Sequence, residues 1–80
     1  MDAQTEARLL DLIEDICGDS VVREERDIDL FEAGLLDSMA AIELLVALET
    51  DFGVTIAPTE LEREEMNTVN LIVARVAERL

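Results

Sequence analysis

Three stretches of this chain space their apolar residues by threes and fours, and nowhere do apolar and polar residues strictly alternate. That period builds α-helices with one dry face, and it leaves no half-buried strand. The first stretch, about residues 3 to 17, carries Leu9, Leu12, Ile13 and Ile16, with Glu6, Arg8, Asp11, Glu14 and Asp15 between them. The second, about 38 to 52, has Ala41, Leu44, Leu45, Leu48 and Phe52 as its inward stripe. Met39, Ile42 and Val46 form a flanking row, and Glu43, Glu49 and Asp51 lie elsewhere on the circumference. The third begins after Asn67 or Thr68 and carries Val69, Ile72, Val73, Val76 and Leu80.

The punctuation between them agrees. Gly18 and Gly53 follow the first two stripes, where glycine takes a left-handed helix end without steric cost. Asp37 is a good N-cap for the second stretch, and Gly34 supplies a turn just before it. Residues 54 to 56 are expected to be extended, leading to Pro58, the only proline. Thr59 with Glu62 fits a capping box for a short helix of one or two turns, with Leu61 inward. The connection from Gly18 to Asp37 is long for a compact domain, and its Val21, Val22, Ile28, Leu30 and Phe31 are too irregular for a regular helix. Leu30 and Phe31 are expected to anchor it across the helices. The chain therefore predicts an all-α fold: a four-helix bundle, three helices long and one short, with a long crossover loop between the first two.

Size and charge narrow the function. Eighty residues make one domain, spanning 1 to 80, with little room for a deep catalytic cleft. Half the residues are hydrophobic, so the net charge of -14 does not signal disorder. All six basic residues are arginines, and no lysine or histidine is present. Nucleic acid and anionic membrane are poor partners for such a surface, whereas a basic protein surface suits it. The start, Met1-Asp2 with Thr5 and Glu6, carries no basic leader or apolar run, which leaves a cytoplasmic protein without membrane insertion as the default reading. The single Cys17 excludes an internal disulfide and falls on an apolar stripe, where a buried thiol is expected.

The same absences exclude most enzyme chemistry. Without histidine there is no Ser-His-Asp relay, and without lysine no Ser-Lys pair. One cysteine and no histidine make no zinc site. Asp27-Ile28-Asp29 resembles the opening of a calcium loop, but the third ligand position is Phe31, so no metal site is expected. The chain is expected not to be an enzyme.

One polar side chain then stands out. Ser38 follows Gly34-Leu35-Leu36-Asp37 at the start of the second helix. Serine often serves as a plain capping residue, but Asp37 already suits that role, leaving the Ser38 hydroxyl free. From the residues alone, a structural serine and a modified serine are equally good readings.

Gly34-Leu35-Leu36-Asp37-Ser38-Met39 resembles the attachment motif of the acyl and peptidyl carrier proteins. The length, the acidity, the crossover loop and the motif's place before helix two are similar as well, over about residues 5 to 80. Phe31 through Met39, together with Thr59-Glu60, Arg63-Glu64 and Asn67-Thr68, is most similar to the D-alanyl carrier proteins of teichoic acid modification. The resemblance implies that Ser38 carries 4'-phosphopantetheine, installed from coenzyme A by a phosphopantetheinyl transferase with magnesium. An adenylate-forming ligase would load an aminoacyl or acyl group on the arm as a thioester, and an acyltransferase or condensing enzyme would collect it.

It also implies a monomer that meets its partners transiently, through Met39, Ile42, Glu43 and Val46 along one helix face, with Leu36 and Asp37 beside the serine. For Ile42 and Val46, core packing competes with that role. The arginine- and alanine-rich composition points to a GC-rich genome and favours a polyketide or nonribosomal peptide pathway, with D-alanyl transfer to teichoic acid as the alternative. An unmodified acidic adaptor for a basic partner is the competing class, and it leaves the motif unexplained.

Overall fold

Local caps decide where the two longest helices begin and end. In the computed structural model, which describes residues 1–80, α1 spans Ala3–Cys17 and α3 spans Ser38–Phe52, each 15 residues. Asp2 caps α1 by accepting the Thr5 N–H at 2.7 Å, and Asp37 caps α3 by accepting the Ala40 N–H at 2.8 Å. Gly18 and Gly53 close them in left-handed backbone, φ 72° and 66°. Thr68, the second of the two candidate caps, starts α4 (Val69–Ala77) by accepting the Leu71 N–H at 3.1 Å. Asn67 does a different job, described below.

The core is drawn from every part of the chain. Leu9 and Ile13 of α1, Leu44 and Leu48 of α3, and Val69, Ile72 and Val76 of α4 are buried together with Val22, Leu30, Leu36, Val54 and Ile56. α1 packs against each of the other three helices, so it is the spine of the bundle. Arg8 adds a polar tie between α1 and the end of α3, lying 4.8 Å from the Phe52 ring centre and donating to the Asp51 carbonyl at 3.0 Å.

The all-α architecture is as expected, with four helices and no strand, but its short pieces sit elsewhere. The crossover contains a one-turn helix, α2 (Val21–Glu24), where irregular chain was expected. Four residues cannot hold a helix in water, since nucleation costs more than one turn returns. Here Val22 is buried and Arg23 reaches back to pair with Asp11 and Glu14 of α1. Tertiary contact, not propensity, makes this turn.

The expected short helix at Thr59–Glu62 is displaced to a 3-10 turn at Arg63–Glu65. Its capping box is Glu62 with Glu65, the same spacing three residues on. Glu60 is why: its carboxylate accepts the Ala57 N–H at 3.4 Å and pairs with Arg79 at 2.7 Å, holding 57–60 as a non-helical turn. Two smaller expectations also fail. Leu80 lies beyond α4 and is exposed, and Cys17 is only half-buried. Burial, followed by the nearby Asp19 carboxylate, still pushes the Cys17 thiol pKa upward.

Candidate attachment site

The serine is positioned by a turn folded onto one carbonyl. Leu30 is fully buried, and its C=O accepts the N–H groups of both Leu35 (2.9 Å) and Leu36 (3.1 Å). Gly34 closes that turn with φ 75°, a backbone state that costs an L-residue about 1 kcal/mol or more. Asp29 braces the turn from outside. Its Oδ1 accepts the N–H groups of Phe31 and Glu32 at 3.0 and 3.1 Å, while its Oδ2 accepts the Asn67 side-chain amide at 3.0 Å. The Glu32 N–H first, then the Asn67 amide, the Phe31 N–H and the Arg63 charge, hold the Asp29 pKa below its ordinary value, against an opposing contribution from desolvation.

The same region is stitched to α4 by backbone. Leu30 N–H donates to the Asn67 carbonyl at 2.7 Å, and Asn70 N–H donates to the Arg26 carbonyl at 3.0 Å. The Asn70 side chain adds a bond to Asp27 at 2.8 Å. The crossover is thus a pinned strap, and its end delivers Leu36, Asp37 and Ser38 in a fixed order to the tip of α3.

Ser38 occupies the first helical position and is exposed. Because the Asp37 carboxylate accepts the capping bond, the Ser38 hydroxyl stands outside the cap. An anionic ester there would meet the positive end of the α3 dipole, worth about 0.3–1 kcal/mol, with the Asp37 charge offsetting part of it.

Beside Ser38 runs a groove of about 280 Å³. The crossover contributes Phe31 and Leu36, α3 contributes Ala41, Ile42, Leu44 and Leu45, and the segment after α3 contributes Pro58, Leu61 and Met66. Glu62 and Arg63 are its charged members, and the Arg63 guanidinium lies 4.0 Å from the centre of the Phe31 ring.

The residues expected on the contact face divide. Met39, Ile42 and Val46 are 76, 51 and 60% exposed, so none of the three is core. Glu43 and Asp37 are exposed beside them. Leu36 departs from the expected surface position: it is 5% exposed and belongs to the core, because the hydrogen bonds that Leu35 and Leu36 N–H donate to the Leu30 carbonyl turn its side chain inward. It lines the inner part of the groove instead of lying on the surface. Phe31, Leu61, Arg63 and Met66 were not expected at the site. Phe31 and Leu61 carry the apolar character of core residues, and Arg63 carries no periodic signal that would reveal a neighbour in the crossover.

The family model for the phosphopantetheine attachment site matches residues 7–76. This chain belongs to the phosphopantetheine-binding carrier proteins. Among the relatives it is similar to is the D-alanyl carrier protein of Lactococcus lactis subsp. cremoris (strain MG1363), 50% identical over 90% of this chain and 91% of the relative. The D-alanyl carrier proteins of Bacillus velezensis and Bacillus subtilis (strain 168) are 47 and 43% identical, each over 88% of this chain and 90% of theirs.

The carrier is a non-catalytic protein of a family defined by a covalently bound 4'-phosphopantetheine prosthetic group, and carrier proteins work with a phosphopantetheinyl transferase and ligases. The geometry is compatible with such a group: an exposed hydroxyl outside the cap, a helix tip, and an adjoining apolar groove with one arginine. No helix is long and apolar enough to cross a membrane.

Proposed function

We propose that the carrier takes its arm on Ser38, works as one unit over residues 1 to 80, and delivers a D-alanyl group. The observation that carries this reading is the exposed serine at the tip of α3, capped by its neighbour and lying inside the matched region. Relatives that cover nine-tenths of the chain and are named D-alanyl carrier proteins support the cargo. They favour it over the polyketide or nonribosomal role expected from composition. An arginine-for-lysine bias reflects which solvated side chains a genome uses, and solvated faces say little about cargo.

This chain's own part is small. Attachment forms a bond from Ser38 Oγ to phosphorus and breaks the pyrophosphate of coenzyme A, with adenosine 3',5'-bisphosphate leaving. The hydroxyl proton goes to a base on the transferase. When bound, the arm supplies a terminal thiol that holds a carboxylic acid as a thioester. Met39, Ile42 and Val46 offer an apolar strip at the helix spacing of 3, 4 and 7, and Glu43 and Asp37 rim it with negative charge. That strip suits transient docking on basic-rimmed partners: the transferase, an adenylate-forming ligase and an acyltransferase.

Intact mass after incubation with coenzyme A and a broad-specificity transferase tests the attachment. The wild type should gain one pantetheine arm, and Ser38→Ala should gain none. An arm on Ser38→Ala, or none on the wild type, overturns the assignment. Incubating the armed protein with ATP, a D-alanine ligase and a panel of amino acids then tests the cargo. Loading of other amino acids in preference to D-alanine would overturn that part alone.

A further inference from the structure

Six arginines serve a chain of net charge -14, and four of them are already committed to carboxylates. Arg23 holds Asp11 and Glu14, Arg26 holds Glu6, Arg75 holds Glu78, and Arg79 holds Glu60 and Glu78. Arg8 is spent on the Phe52 ring and the Asp51 carbonyl. Arg63 is different. It has no ion pair, its guanidinium lies 4.0 Å from the Phe31 ring centre, and it is the one cation lining the groove that Ser38 also lines.

A guanidinium resting on a ring is held in place while its in-plane N–H donors remain available. Those donors match the paired oxygens of a phosphate, which is the chemistry for which arginine is better suited than lysine. Modification of Ser38 adds a further negative charge immediately beside the exposed Asp37 carboxylate. Of all the charges in the chain, Arg63 is the uncommitted positive one on the same groove. Its charge already reaches into the crossover, where it lowers the Asp29 pKa.

We propose that Arg63, seated on Phe31, binds the phosphodiester that attachment creates on Ser38 and so orients the root of the arm along the groove. This rests on the attachment at Ser38 argued above. The 3-10 turn that carries Arg63 would then be drawn toward the tip of α3 only in the modified protein, giving partners a way to tell armed from unarmed carrier.

The test compares unmodified and armed protein by NMR, with the arm confirmed by intact mass. On arming, the Arg63 Nε–H cross-peak should move further than those of Arg8 and Arg75, and the shift should shrink as salt is raised. The 31P resonance of the arm should change in Arg63→Gln and return toward the wild-type position in Arg63→Lys. An armed protein whose Arg63 cross-peak stays in place, with the same 31P resonance in Arg63→Gln, overturns the inference and leaves the attachment standing. A wild-type protein that takes no arm overturns both.

Discussion

At the scale of single residues, the decisive division of labour is between Asp37 and Ser38. The aspartate caps the helix and leaves the serine hydroxyl outside the cap. The two should therefore respond oppositely to replacement. Asp37→Ala should lower stability by about 1 kcal/mol, the usual worth of a lost N-cap. Ser38→Ala should stay within about 0.5 kcal/mol of the wild type, as exposed positions do. Urea midpoints at unchanged slope measure both, and a Ser38→Ala loss as large as that of Asp37→Ala would mean the serine is structural.

The Asp37 cap could be read from the sequence, because capping is local: the cap and its N–H lie three residues apart. The residues alone left the Ser38 hydroxyl open between a structural and a modified role. The burial of Leu36 could not be read. Its apolar neighbour pair and its place beside the serine look like surface, and only the two bonds to the Leu30 carbonyl turn it inward.

At the scale of elements, the strap from Gly18 to Asp37 is held by partners far along the chain. Asp29 and Asn67 are 38 residues apart, and so no local pattern announces their bond. Asp29 has a lowered pKa in the folded protein, so its contribution to stability is present above its ordinary value of 3.8 and is lost as pH falls through the folded value. Acid should loosen the strap on α4 in that window, and Asp29→Asn should remove this component of the acid transition. Amide exchange at Phe31 and Glu32 across pH 2 to 6 (about the carboxylate range), corrected for intrinsic rates, reads it directly. Equal protection at both ends of the range would refute the linkage.

The helices themselves were legible where stripe and closing glycine agreed, as in α1 and α3, and the Asp37 cap marked the start of α3 as well. Near Pro58 two capping boxes of the same spacing compete, Thr59 with Glu62 and Glu62 with Glu65. Arg79, from the far end of the chain, decides between them by taking Glu60. α2 was invisible for a related reason, since its single turn depends on α1.

At the scale of the whole molecule, charge is the dominant feature. A net -14 is spread over a body with a radius of gyration of 11.3 Å, so the carboxylates are crowded onto a small surface. Screening lengths are about 8 Å at physiological ionic strength and about 30 Å in dilute buffer. Melting temperature should therefore rise as salt is added from dilute buffer to physiological strength, because self-repulsion is relieved. Calorimetry across that range checks it, and a flat profile would show that the repulsion is already balanced. Association with basic-rimmed partners should move the other way, slowing as the same salt screens the attraction.

The separation of cap and hydroxyl at the tip of α3 has one more consequence. A residue that both sealed its helix and accepted a bulky ester would put about 1 kcal/mol of helix stability at stake each time the ester was added or removed. Here the seal belongs to a neighbour, so under the proposed attachment the blank and the furnished protein keep the same lock on the start of α3.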